Sequence, residues 1–121
     1  RTRRSPNMTL QEIIDELDLK LMTDKKEFNR VTPTSGYTSD LLSCAMASAR
    51  HQAIWITLQA HANVVAIGAL LELSAIIITE GATPDLDTIA KANAEGVTLL
   101  ATDKPTFYVA GKLWEMGLRE A

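Results

Sequence analysis

Leu10, Ile13, Ile14 and Leu17 recur at the i, i+3, i+4, i+7 spacing that lines one face of a helix. Thr9-Leu10-Gln11-Glu12 has capping-box form, with Thr9 able to cap the first turn and Glu12 able to reach back. Leu19 to Thr23 and Glu27 to Thr32 then read as short strands, with Lys25-Lys26 at the turn between them. Pro33-Thr34-Ser35-Gly36-Tyr37 is a loop by composition. Thr38 or Ser39 is placed to cap the next helix, whose buried stripe is Leu42, Ala45, Met46 and Ala49. Ala53 to Leu58 is a short run of β-formers, which predicts a core strand.

From Ala62 to Leu73 the pattern changes. Val64, Val65, Ile67, Leu70 and Leu71 are distributed all round a helix, so the helix must be covered on more than one side. Either it is central within one chain, or a second subunit covers part of it. Ile76 to Thr79 is a continuous apolar run of the kind found in buried parallel strands. Thr83-Pro84-Asp85 opens a further helix, with proline in the first turn and an acid near the positive end of the dipole; Gly96 ends it. Val97 to Ala101 is the last strand. Thr102-Asp103 caps a final helix, in which Phe107, Ala110, Gly111 and Trp114 share one face and which Gly117 stops. Strand and helix therefore alternate from Ala53 onward. That order favours right-handed βαβ units, and hence a three-layer α/β/α domain around a mainly parallel sheet of about five strands.

Composition narrows this picture. The 121 residues are 46% hydrophobic but only 5% aromatic, so the core must be aliphatic. Residues 1–7 carry three arginines, a serine and a proline without apolar periodicity, and read as a cloning scar or disordered arm. Residues 8–121 read as a single domain, with Met8 as the native start. Without those arginines the chain has nine basic and fifteen acidic residues, a net charge of −6, which disfavours nucleic acid. No apolar run is long enough for a membrane span and no secretory signal is visible, so the cytoplasm is the default location. The one cysteine, Cys44, cannot form an internal disulfide and reads as structural in mid-helix.

Candidate chemistry lies where the fold class places ligands, outside the carboxyl ends of the parallel strands. Three loops qualify: Gln59-Ala60-His61-Ala62-Asn63, Thr79-Glu80-Gly81-Ala82-Thr83 and Thr102-Asp103-Lys104-Pro105-Thr106. Each leads into a helix N-terminus with free N–H groups and can contribute to a small anion or polar-ligand site; each can equally be a set of helix caps. His61 is the best single candidate for proton chemistry, or else a cap or interface histidine. His51 reads as solvent-facing. There is no GxxxxGK[ST] phosphate loop, no GxGxxG after a strand and no zinc-ligand spacing, so no enzyme activity, metal or cofactor is expected. Asp85 and Asp87 fit a first-turn dipole arrangement better than an acid/base pair.

Two stretches go beyond a generic α/β pattern. One is Tyr37-Thr38-Ser39-Asp40-Leu41-Leu42-Ser43 followed by Ile54-Trp55-Ile56-Thr57-Leu58-Gln59. The other is Ile76-Ile77-Ile78-Thr79-Glu80-Gly81-Ala82-Thr83-Pro84-Asp85, followed by Leu100-Ala101-Thr102 and Thr106-Phe107. Together they resemble the DRTGG domain family, over nearly the whole chain from Met8 to Leu118. The resemblance implies a fold like the N-terminal domain of HPr kinase/phosphorylase. The same domain type occurs beside CBS pairs and inside long bacterial phosphotransacetylases, in regulatory or assembly roles. Stand-alone members in anaerobic bacteria are often encoded near iron-only hydrogenase genes. The kinase activity of the larger relative belongs to a separate phosphate-loop domain that this chain lacks. The literal Asp-Arg-Thr-Gly-Gly string is absent, and Glu80-Gly81 stands where many relatives have Gly-Gly.

The ligand-binding set read in this way is Ser39, Asp40, Gln59, His61, Thr79, Gly81, Thr102 and Thr106. Three functions compete. The first is a non-catalytic regulatory or protein-interaction domain that forms a homodimer. The second is a sensor of a nucleotide or phosphorylated metabolite that uses the strand-end loops. The third is an enzyme or phosphotransfer partner with His61 or Ser39 in a chemical role. A protein partner or a small anionic ligand is expected; nucleic acid and membrane are not.

Overall fold

The computed structural model describes residues 8–119. The readings made for residues 1–7 lie outside the described residues. Helix α1 (Leu10–Leu17) begins at the expected capping box: Thr9 Oγ1 accepts from the Glu12 amide at 3.2 Å and Glu12 Oε1 from the Thr9 amide at 2.8 Å. Then follow β1 (Lys20–Leu21), a 3₁₀ turn (Phe28–Arg30), β2 (Gly36–Thr38), α2 (Leu42–Ser48), β3 (Ile54–Thr57) and α3 (Asn63–Leu70). The chain continues through β4 (Ala75–Ile78), α4 (Leu86–Glu95), β5 (Leu99–Ala101) and α5 (Thr106–Met116).

The five strands form one sheet in the order β1-β5-β4-β3-β2. The β2–β3, β3–β4 and β4–β5 pairs are parallel, and β1 is antiparallel to β5, with Lys20 opposite Ala101. Side chains alternate across the sheet. Ile54, Ile56, Ile77 and Leu100 face a layer made by α1, α5 and Phe28. Trp55, Ile76, Ile78 and Leu99 face a layer made by α2, α3 and α4. The architecture is thus the expected three-layer α/β/α sandwich, mostly parallel with one antiparallel pair.

The all-round apolar character of α3 has an internal explanation. The sheet covers one side of it, and α2 and α4 pack on its flanks. Val64, Val65, Ile67 and Gly68 are buried, while Ala66 and Leu70 remain exposed. Within α2, Ala45 and Ala49 are buried as expected, but Leu42 is half-buried and Met46 exposed.

Several elements differ from the sequence reading. Glu27 to Thr32 is not a strand: its single large apolar residue, Phe28, folds inward under α1 in a 3₁₀ turn. The Val31 carbonyl there accepts from the Leu10 amide at 2.8 Å. Leu19 to Thr23 shortens to the two residues of β1. The loop at Pro33 to Tyr37 ends in β2, because β3 supplies hydrogen-bond partners that local composition cannot reveal: the Ile54 amide donates to the Ser35 carbonyl at 2.8 Å. Neither Thr38 nor Ser39 caps α2, whose N-cap is Leu41 without a side-chain bond. Pro84 precedes the cap of α4 instead of entering its first turn; the cap is Asp85. Cys44 does not fill the core but is exposed.

The largest correction concerns α5. Its buried face is Val109 and Leu113, with Ala110 and Met116 alongside. Phe107 is 89% exposed and Trp114 58% exposed, and a Cβ on Gly111 would meet nothing within 4 Å. Of the face read along the sequence, Ala110 packs inward, while Phe107, Gly111 and Trp114 point outward.

Candidate functional site

The carboxyl ends of the four parallel strands carry two hydrogen-bonded groups of polar residues and one cleft. The first group joins β2 to β3. Asp40 Oδ1 accepts from the Thr57 hydroxyl at 2.9 Å and from the Leu58 amide at 2.8 Å. Thr57 Oγ1 in turn accepts from the Gln59 amide at 3.1 Å, and Gln59 Nε2 donates to the Asp40 carbonyl at 3.1 Å. Ser39 joins through its backbone: its carbonyl accepts from Trp55 Nε1 at 2.8 Å, and its hydroxyl oxygen accepts from the Leu41 amide at 3.1 Å. Thr57, fully buried, is the hub of this group and is a residue the sequence reading did not single out.

The second group joins β4 to α5. Thr79 Oγ1 lies 2.5 Å from Thr106 Oγ1 and 3.4 Å from the Thr57 carbonyl, which links the two groups. Glu80 Oε2 accepts from the Thr106 amide at 2.9 Å, and the Glu80 amide donates to the Lys104 carbonyl at 2.9 Å. The N-terminus of α5 is therefore capped by a carboxylate from the neighbouring loop, not by Thr102 or Asp103. Glu80 achieves this with φ of 63°, followed by Gly81 at 78°. A glycine pair adopts that left-handed conformation freely, and a glutamate only at a cost that its cap offsets. The Thr106 amide, the first of α5, is thus served by an internal carboxylate.

The remaining expected residues sit apart from these groups. His61 is exposed, with Nδ1 accepting from the Asn63 amide at 3.4 Å. Asp85 Oδ1 accepts from the Thr88 amide at 2.8 Å. The Thr88 backbone bond, then the Thr88 side chain, and weakly the charge of His61 hold the Asp85 carboxyl below the usual carboxylate range, against a small opposing effect of desolvation. His51, on the opposite end of the sheet, pairs with Glu72 at 2.6 Å on the surface. Among the described residues, no group of three or more His, Cys, Asp or Glu side chains is placed to hold a metal ion. No helix there is long and apolar enough to cross a membrane.

The cleft lies at the other end of the strand row. The β4–α4 loop leaves the sheet toward one layer and the β5–α5 loop toward the opposite layer. Adjacent loops that diverge in this way open a crevice, the usual ligand position in parallel α/β sheets. Here it holds about 370 Å³. Gly81, Ala82 and Thr83 form one wall, Ala101 to Lys104 the other, and Leu17, Asp18, Lys20 and Met22 close the side beside β1. The Gly81 amide donates to the Thr102 carbonyl at 3.1 Å across its floor. Gly81 and Thr102 were expected at a site; Asp18 and Lys20 were not. They arrive through the pairing of β1 with β5, some eighty residues away in sequence, and no local signal announces it.

A second surface feature lies on α5. Phe107, Gly111 and Trp114 stand on one exposed face, and Trp114 continues into a groove of about 110 Å³ shared with Gly36, Thr38, Leu118 and Arg119. The Arg119 guanidinium stacks 5.6 Å from the Trp114 ring centroid. β2 is the terminal strand of the sheet, so its outer edge has no strand partner among the described residues.

No protein-family model matches the chain, and no curated protein matches it. Among solved structures, it is similar to the CBS and DRTGG domains of the regulatory region of a Clostridium perfringens pyrophosphatase, complexed with the activator diadenosine tetraphosphate. The TM-score is 0.71 at 19% identity, over 90% of this chain and 50% of that one. This chain therefore spans half the length of its structural neighbour. The likeness is one of fold, and it makes the architecture DRTGG-like. The neighbour is a regulatory region and not a catalytic one.

Proposed function

We propose that residues 8–121 act as a single DRTGG-like regulatory domain, non-catalytic, that works by association, with a second copy of the chain as its first partner. The observation that carries this reading is the exposed Phe107–Trp114 face of α5 beside the unpaired edge of β2. Large aromatic side chains held in water on a rigid helix are the usual anchors of an interface. An unpaired strand edge offers further backbone bonds, and a two-fold axis would bring identical faces together. A non-catalytic role is supported by the strand-end polar groups, whose hydrogen bonds join them to one another. On this reading the dimer surface is α5 and not α3, the helix whose apolar pattern first raised the idea of a dimer.

Sedimentation equilibrium of the wild type, Phe107→Glu and Trp114→Glu tests it. The expected result is a wild-type dimer and monomeric variants that remain folded and unfold cooperatively, since both side chains are exposed, with midpoints that no longer rise with protein concentration. A wild type that stays monomeric across the micromolar range removes the homodimer.

A second reading, a small-ligand sensor, is favoured by the mixed-charge cleft between the β4–α4 and β5–α5 loops. The neighbour's regulatory region is complexed with a nucleotide activator, which is consistent with it. If the strand-end loops as a whole bind the ligand, Gln59→Ala, His61→Ala and Thr79→Ala abolish ligand stabilisation in a thermal-shift assay while the proteins stay folded. Equal ligand response in all three and in wild type removes that loop assignment.

A further inference from the structure

We infer that the cleft between Gly81–Thr83 and Ala101–Lys104 is a binding site for a small hydroxylated phosphomonoester. The inference deepens the ligand-sensing reading and does not depend on the dimer. Its volume of about 370 Å³ lies at the small end of the range for small-molecule sites, roughly 300–1,000 Å³.

The lining separates into two chemistries. Lys20 and Lys104 are both lining residues, and each carries an ammonium group on a flexible stem that can swing to a bound anion. The Lys104 ammonium is held 5.5 Å from the Tyr108 ring centroid, which limits where it can point. Thr102 Oγ1 accepts from the Lys104 amide at 3.2 Å and donates to nothing else among the described residues, so its proton is available to an anionic oxygen. These are phosphate-binding groups. Against them stand Asp18 and Asp103, the latter with Oδ1 only 3.6 Å from where a Gly81 Cβ would lie. Asp18 also caps the C-terminus of α1, the negative end of that helix. This side accepts hydrogen bonds, and it suits hydroxyl or amine donors. Leu17, Met22 and Ala82 add apolar surface between the two.

The charges of the cleft therefore cancel, with two lysines against two aspartates. A polyphosphate would bring excess negative charge onto the aspartates. One phosphate with neighbouring hydroxyls satisfies both halves. Gly81, whose φ is 78°, keeps the wall free of a side chain where the ligand must pass Asp103.

Isothermal titration of the full chain with ribose 5-phosphate, adenosine monophosphate, adenosine and inorganic phosphate tests the site. The expected result is saturable binding of at least one of the two phosphomonoesters, weakened by added salt, with adenosine and inorganic phosphate each at least tenfold weaker. Lys20→Gln and Lys104→Met should each raise Kd about tenfold, the loss of one charge-assisted contact, with the ligand-free thermal midpoint unchanged. Phosphomonoester binding that survives both lysine substitutions but is lost in Gln59→Ala or His61→Ala overturns this site and leaves the sensing reading standing. Failure of the wild type to bind either phosphomonoester overturns the phosphomonoester site and confines the sensing reading to ligands of other chemistry.

Discussion

Asp40 shows how one side chain can hold two strand ends together. Its carboxylate satisfies the Thr57 hydroxyl and the Leu58 amide, at 2.9 and 2.8 Å. Thr57 is buried, so removing Asp40 leaves its hydroxyl proton without an acceptor, although the oxygen still accepts from the Gln59 amide. Asp40→Ala should cost about 1–3 kcal/mol in denaturant unfolding; a variant as stable as wild type would show that the network adds nothing. Glu80 makes a different bargain. Glu80→Ala keeps the left-handed backbone and loses the cap on Thr106, whereas Glu80→Gly loses the cap but relieves the backbone. The alanine variant should be the less stable of the two, by about 1 kcal/mol. Asp85 adds a pH dependence. Its folded-state pKa lies below 3.8, so the unfolded chain takes up the proton first as pH falls. The stability this contributes is complete above the unfolded value and is lost as pH drops through the folded one. Asp85→Asn keeps an acceptor but cannot titrate there, and its unfolding curve should weaken less steeply in acid than that of wild type.

Among the elements, α3 packs tightly against Ile76 and Val97 at Gly68. A Cβ at that position would lie 3.0 Å from Ile76 Cδ1 and 3.0 Å from Val97 Cγ1. The isoleucine tip can move. Val97 is β-branched and rotates poorly, and its Cγ2 is also near, at 3.6 Å. Overpacking of about 1–3 kcal/mol should therefore outweigh the roughly 1 kcal/mol of helix propensity that alanine adds. Gly68→Ala is expected to lower the thermal midpoint, and a raised midpoint would mean that the helix shifts outward without loss. The contrast with α5 is instructive. Both helices are rich in apolar residues, yet α3 is enclosed by two helices and the sheet, while α5 has the sheet and α1 on one side only. Its Val109–Leu113 face takes the buried position, and its aromatic face is left outside.

At the scale of the whole molecule, the two helical layers share one sheet in which β3 and β4 are buried on both faces. Damage to either layer should then be felt by a single cooperative unit. Ile13→Ala, in the α1 layer, and Ile67→Ala, in the α3 layer, should each cost about 2–5 kcal/mol and lower the same single unfolding transition. Two separate transitions in either variant would show that the layers unfold independently. The same arrangement makes the cleft, because the β4–α4 and β5–α5 loops part toward opposite layers.

The periodicity of α1, the apolar runs of β3 and β4, the Gly96 end of α4 and the alternation that implies a parallel sheet were all readable along the chain. Each depends on interactions among residues near in sequence, where spacing and propensity suffice. Four of the expected site residues, Asp40, Gln59, Thr79 and Thr106, do converge at the strand ends through Thr57 and Thr79, with Ser39 held beside them by Trp55, while Gly81 and Thr102 line the cleft and His61 stands apart on the surface. Only the tertiary structure decided the rest. β2 exists because β3 lies beside it, and β1 because β5 does. Which face of α5 is buried depends on the register in which Val109 and Leu113 meet the sheet. Asp18 and Lys20 reach the cleft, and Glu80 reaches the N-terminus of α5, across separations at which sequence spacing carries no geometric information. Local chemistry sets which elements can form; the pairing of distant edges and faces sets which surfaces they leave open.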